Sequence, residues 1–98
     1  MYVVRDVFRC KPGKAREVAE RFRKTLPSCE EHDRFSNCRV LVDVVADYWT
    51  VVLECDVERL EDFEHHMREF GARPEVREAL DGYMDLVLEG HREIYRIV

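Results

Sequence analysis

The chain has 98 residues, the size of one domain, with 46% apolar and 38% charged side chains and a formal net charge of −5. That charge sets aside nucleic acid and anionic membrane as partners, because counterion release needs a basic face and no Lys/Arg cluster stands apart from acidic neighbours. No apolar run approaches the ~20 residues of a membrane span and no basic-then-apolar leader opens the chain, so a cytoplasmic protein is expected.

In that reducing setting the four cysteines, Cys10, Cys29, Cys38 and Cys55, are expected to be free thiols with structural roles. A chain this short buries only about 60–65% of its unfolded surface, so a monomer would be marginal and an oligomer would help.

Tyr2 to Cys10 is rich in β-branched and aromatic residues and reads as a first strand, closed by Lys11-Pro12-Gly13-Lys14. Ala15, Val18, Ala19, Phe22 and Leu26 recur at three- and four-residue steps, which predicts an amphipathic helix ended by Pro27. Ser28-Cys29-Glu30-Glu31 resembles a capping box and suggests a further helical turn before Phe35. Arg39 to Ala46 and Tyr48 to Asp56 read as two strands of a tight hairpin.

Asp56 is then placed to cap a helix whose apolar stripe is Leu60, Phe63, Met67 and Phe70, ended by Gly71. Pro74 opens a short helix to Asp81. From Gly82 to Ile97 the alternation predicts one long strand, with Gly90 marking a bulge and a far end that outruns the sheet and needs a partner. The fold class is therefore α+β, a ferredoxin-like β-α-β-β-α-β domain spanning 1–98, with one antiparallel sheet and both main helices on one face.

Parity sorts the strands into two faces. Val40, Val42, Val44, Trp49, Val51, Leu53, Cys55, Met84, Leu86 and Leu88 are assigned beneath the helices. Leu41, Asp43, Val45, Tyr48, Thr50, Val52, Glu54, Asp85, Val87 and Glu89 are assigned to the other face. That second face mixes apolar and acidic residues. It would leave an exposed apolar patch on a monomer, so stacking against a second copy, with an enclosed and partly polar cavity, is expected.

The first strand leading into Lys11-Pro12-Gly13-Lys14 and a helix, together with the closing Glu89-Gly90-His91-Arg92-Glu93-Ile94-Tyr95-Arg96-Ile97, resembles the dimeric α/β-barrel superfamily, and within it small NIPSNAP-like proteins. The resemblance implies a homodimer whose sheets close into a barrel. The superfamily also holds antibiotic-biosynthesis-type monooxygenases, haem-degrading enzymes and lactone isomerases. Its monooxygenases rely on an Asn on the first strand, a Trp after the third strand and a His on the second helix. Asp6 stands nearest the first position, His65 or His66 near the last, and no Trp follows the third strand. No competent haem-degrading site and no cofactor are therefore expected.

Asp6, Glu54, His65 and His66 are the catalytic candidates, His supplying a proton shuttle near neutral pH. Adjacent His65 and His66 point about 100° apart on a helix and cannot clamp one metal. Asp43, Tyr48, Thr50, Asp85 and Glu89 are candidate ligand-binding groups: carboxylates sharing an enclosed space disfavour one another's ionisation, and the hydroxyls orient a polar ligand. Pairing of these acids with Arg5, Arg9 or Arg39 is the competing structural role. His91 and Glu93 share a strand face but lack a third ligand, so no metal site is expected. The leading expectation is a homodimer that binds a small organic molecule in its cavity. The alternatives are a cofactor-independent monooxygenase or isomerase, and a filled barrel acting only as an interaction module.

Overall fold

A computed structural model describes residues Met1–Val98. The elements run β1 (Tyr2–Cys10), α1 (Ala15–Arg23), α2 (Leu26–His32), β2 (Ser36–Val42), β3 (Thr50–Val57), α3 (Leu60–Glu69), α4 (Pro74–Ala79) and β4 (Val87–Arg96), with single turns of 3-10 helix after α3 and before β4. The strands form one antiparallel sheet in the order β2-β3-β1-β4. This is the ferredoxin-like α+β arrangement the sequence predicts.

The molecule measures 36 × 34 × 18 Å, and its thin dimension is that of one sheet plus one helix layer at about 10 Å each. Helices cover only one face. Its core is two separate clusters under them: Val4, Cys29, Phe35, Cys55 and Val57 at one end of the strands, and Cys10, Ala15, Val18, Phe22 and Val51 at the other. Only 18 of 98 residues are buried, so the domain leans little on its own interior.

Between the two clusters the covered face dips. Asp6 lies opposite Leu53 on β3 and opposite Arg92 on β4, which makes a row Leu53–Asp6–Arg92 across the sheet. One acid in an otherwise apolar alternation (Tyr2, Val4, Asp6, Phe8, Cys10) interrupts the core at that row and places a polar floor there.

Several local expectations are corrected. Pro27 does not stop a helix: α1 ends at Arg23, and Pro27 sits in the first turn of α2, where a missing N–H costs nothing. Asp56 lies within β3 and caps nothing, Arg59 being the residue before α3. The stripe expected on α3 is turned: Leu60 and Met67 are exposed, while Asp62 and His66 are buried on the inner side.

The hairpin is not tight. β2 ends at Val42 and β3 begins at Thr50, because Asp43 Oδ1 accepts the Thr50 backbone N–H at 2.8 Å and ends the ladder with its side chain. Trp49 follows in the left-handed region with φ 64°, in the loop rather than under the helices. Val44, Val45 and Tyr48 are 94%, 95% and 80% exposed at the loop, which removes them from both sheet faces.

The final strand begins at Val87, after a 3-10 turn over Tyr83–Leu86, so Met84 and Asp85 are not strand residues. Val87 joins the covered core instead of the open face. The bulge falls at Leu88, since Arg9 pairs with Glu89 and Cys10 with Val87. Gly90 has a different task. It lies in regular register opposite Phe8, and a Cβ there would stand 2.8 Å from Phe8 Cδ1. The glycine makes room for the Phe8 ring, which stacks on Phe22 at 4.8 Å. Nor does the end of β4 hang free: Arg96 pairs with Tyr2, and the Ile97 N–H donates to the Met1 carbonyl.

Candidate functional site

The dip in the covered face is a cleft of about 590 Å³ between the sheet, α3, α4 and the turn before β4. Phe8, Phe22, Leu53, Phe70, Leu80 and Tyr83 form apolar walls. Asp6, His66, Asp85 and Arg92 supply polar groups. An apolar cleft of this size with a few convergent polar groups is the ordinary form of a small-molecule site.

On the floor, Arg92 Nε donates to Asp6 Oδ1 at 2.6 Å. The Asp6 side chain is 15% exposed and that of Arg92 38%, so the pair is open to the cleft. Arg92 Nη1 meets only the Met67 thioether at 3.1 Å, and its guanidinium lies over the Phe63 ring at 5.3 Å. A thioether is a weak acceptor, so this end of the guanidinium keeps donor capacity for a ligand.

On the wall, His66 is fixed on three sides. Its ring lies between Phe35 at 4.7 Å and Phe70 at 4.5 Å. Its Nδ1 is 2.7 Å from Asp33 Oδ2. An ionised carboxylate only accepts, so Nδ1 carries the hydrogen and Nε2 is the free lone pair. Burial pulls the His66 imidazole below its ordinary value of 6.5, outweighing the opposite pull of Asp33, so the ring is neutral at pH 7.

Asp33, wholly buried at the end of α2, is the hub behind that histidine. Arg73 grips both of its oxygens, Nη1 donating to Oδ2 at 3.0 Å and Nη2 to Oδ1. Arg73 Nη1 also donates to Ser28 Oγ at 3.1 Å, and Ser28 in turn to Glu75 Oε1 at 3.1 Å. Burial opposes ionisation of Asp33, but the hydrogen bonds from Arg73 and His66 prevail and hold its carboxyl below the ordinary 3.8. Cys29 brings a third donor atom within 4.8 Å of Asp33 and His66. Burial pushes the Cys29 thiol up to about 12, so it is neutral, and a cation would have to displace Arg73 from the same carboxylate.

The sequence candidates divide between two faces. Asp6 and His66 meet in the cleft, with Asp85 at its rim. Glu54 lies on the uncovered face, where Arg39 Nη2 donates to Oε1 at 2.5 Å and Arg5 Nε stands 3.3 Å from Oε2. Asp6 and Glu54 therefore cannot act together. Thr50 and Glu89 share that uncovered face with His91 and Glu93, around a shallow groove of about 460 Å³, and Glu89 is 3.8 Å from Arg9. Glu54 and Glu89 thus pair with Arg5, Arg9 and Arg39, the structural role weighed in the sequence, whereas Asp43 and Asp85 pair with none of them.

Asp43 ends the β2–β3 ladder, and Tyr48 is solvent-exposed in the loop. His65, half-buried, stands 3.6 Å from Asp33 at the outer side of the hub. His91 is 3.2 Å from Glu93 on the open face. Cys10 is buried, and burial raises its thiol above the ordinary range, which makes it a poor nucleophile. All four cysteines are unpaired thiols. Sequence reasoning missed Asp33, Arg73 and Arg92. Only the apolar Cys29 and Phe35 flanking the charged run Glu30 to Arg34 hinted that part of this run turns inward.

Solved structures share this fold over essentially the whole chain. An uncharacterized NIPSNAP domain protein from Burkholderia xenovorans superposes with a TM-score of 0.79 at 13% identity, covering 100% of this chain and 95% of its own. A NIPSNAP-like domain protein from the same organism gives 0.78 at 20% identity, covering 99% and 84%. An antibiotic-biosynthesis-monooxygenase-like protein from Nitrosomonas europaea gives 0.77 at 18%, covering 100% and 99%. The chain thus has the ferredoxin-like fold of NIPSNAP-domain and monooxygenase-like proteins, as the sequence resemblance implies. No protein-family model and no curated protein sequence matches it. No helix is long and apolar enough to cross a membrane.

Proposed function

We propose that this is a single-domain cytoplasmic protein that binds a small, largely apolar organic molecule in the cleft between sheet and helices, and that works as a homodimer joined through the uncovered sheet faces. The cleft itself carries the binding reading: about 590 Å³ of space lies over an ion-paired floor, where a filled interaction module would have side chains. The dimer is supported by Leu41, Val52, Val7 and Tyr95 on a sheet face that no helix covers, and by the small buried core. The four unpaired thiols suit a reducing compartment.

Native mass spectrometry of protein purified from its host tests the ligand, with an adduct of a few hundred daltons per subunit expected. A bare subunit mass, or an adduct that persists when Leu80→Trp fills the cleft, would remove this reading.

An enzymatic reading has one observation in its favour. Asp6 and His66, at two of the three positions that monooxygenases of the resembled superfamily use, face the same cleft. Titrating haem with a reductant and following its absorbance separates the haem-degrading version, for which no turnover to an open-chain product is expected.

A further inference from the structure

We propose that the cleft is a general-base site, in which His66 Nε2, oriented by Asp33, takes a proton from the carbon beside a carbonyl group of a small, largely apolar ligand whose developing oxyanion is held by Arg92. This rests on the reading of the cleft as a ligand site and adds the chemistry and the substrate class.

The geometry supplies each part. A base must be unprotonated, presented to the ligand and fixed in one tautomer. His66 meets all three conditions, since its Nδ1–H is committed to Asp33 at 2.7 Å, its faces are clamped by Phe35 and Phe70, and it lines the cleft. Asp33 is a positioning residue. It does not reach the cleft, and Arg73 holds it so that it cannot swing away from the imidazole.

Arg92 is joined to the same corner of the cleft. Its Nη1 touches Met67, the next residue on α3, and its guanidinium lies on Phe63, whose ring centroid is 6.4 Å from that of His66. Nε is used by Asp6, but the Nη end meets nothing stronger than a thioether. Such a donor, on a residue that lines the cleft, suits charge that appears on an oxygen during reaction.

The step balances without an oxidant or cofactor. The α C–H bond breaks, its proton forms a bond to His66 Nε2, and the electron pair moves into a carbon–carbon double bond as the carbonyl oxygen becomes an enolate. The new imidazolium is stabilised by Asp33, and the enolate by Arg92. Return of the proton to oxygen completes a keto–enol tautomerisation and return to the same carbon completes an exchange; either restores the base.

Burial holds His66 below 6.5, so the base form prevails at neutral pH. The charged or titratable groups around it are Asp33, Arg73 and Cys29 behind the ring, Asp6 and Arg92 from the sheet, and His65 on the same helix.

Phenylpyruvate, an aromatic ring bearing an enolisable keto acid, is the probe. The full-length protein is incubated with it in D2O, and loss of the C3 proton signal is followed by NMR across pH. The wild type should exchange this proton faster than buffer, with a rate that rises through a midpoint below 6.5. His66→Gln should lose roughly 100-fold or more of the acceleration, as general-base catalysis is ordinarily worth. Arg92→Gln should lower kcat roughly 10- to 100-fold with little change in KM, since the oxyanion it holds forms only during reaction. Asp33→Asn, which keeps an acceptor but removes the charge, should lower kcat and move the midpoint further down.

Exchange no faster than buffer, or a His66→Gln rate equal to wild type, would overturn the proposal. Should Asp33→Asn fail to fold, the wild-type midpoint and the His66 and Arg92 variants still decide. Binding of phenylpyruvate, seen as shifts of cleft signals, without exchange would remove the base and leave the ligand site standing. An empty cleft by native mass spectrometry would remove both.

Discussion

Asp33 and Glu54 are each held by two neighbouring basic side chains, yet they lie on opposite faces of the sheet and differ in how fully they are paired. Asp33 is wholly buried and gripped by Arg73 and His66, whereas Glu54 is 15% exposed on the uncovered face between Arg5 and Arg39. Buried charge is costly unless every lone pair is met, and the hub at Asp33 meets it with both oxygens used. At Glu54 the fit is looser: Arg5 Nε is buried with no hydrogen-bond partner although it lies 3.3 Å from the carboxylate. The first cluster is finished within one chain. The second keeps a donor in reserve on the face proposed to meet a second copy.

The largest effect should come from cutting the finished cluster. Asp33→Ala leaves the Arg73 guanidinium, 13% exposed, without its counter-charge, and should cost about 3–5 kcal/mol in denaturant unfolding. That is a large share of the roughly 5–15 kcal/mol of a typical domain. A loss near zero would show that water reaches the hub.

The counterpart on the uncovered face is Val52→Lys. Pairing two such faces should bury about 1,500 Å² or more, and a charge in the middle of each should halve the mass seen by light scattering at micromolar concentration. A wild type that is already monomeric would break the comparison, since Glu54 would then be an ordinary surface acid.

Gly90→Ala tests the covered face away from either cluster. Its methyl group would stand 2.8 Å from Phe8 Cδ1, and Phe8 cannot turn without leaving its stack on Phe22. A cost of about 1–3 kcal/mol is expected, read as a lower Tm.

The smallest effect is one of pH, and its sign is set by the two shifts. His66 is depressed in the folded state, so below 6.5 the unfolded chain binds the proton first and stability falls with pH through the folded value. Asp33 is depressed too, so its contribution is present above 3.8 and is lost as pH falls below that. Two declines are expected on acidification, the upper one absent in His66→Gln. A single decline confined to the region below 4 would mean that His66 is solvated.

Much of this fold is legible in the sequence. Alternation in Tyr2–Cys10 and around Val51 and Cys55, with helical spacing at Ala15, Val18 and Phe22, yields the four strands and the covered face, because burial on one side imposes those periods. Errors cluster where a side chain does a backbone's work. Val44 and Val45 have strand propensity, but the Asp43 carboxylate ends the ladder before they join it. Gly90 reads as a bulge because sequence shows that room is needed and not for what; the occupant, Phe8, is over 80 positions away. Asp33 is invisible for a related reason. Its partners Arg73 and His66 come from two later elements, and no local pattern distinguishes an acid on the surface from one buried by distant chain.

β4 forms one margin of the sheet, and that margin bears on how the protein behaves in a crowded solution. A ten-residue strand with an unpaired outer row of amides is a template on which foreign strands can grow. Here the Leu88 bulge breaks the regular spacing of that row near its start, and Glu89, His91, Arg92, Glu93 and Arg96 charge or polarise most of the strand beyond it. An incoming strand meets a kink first and then ions on both faces. The same residues that furnish the cleft and the open sheet thereby act as gatekeepers, sparing the chain from fibril-like self-association at its most exposed border.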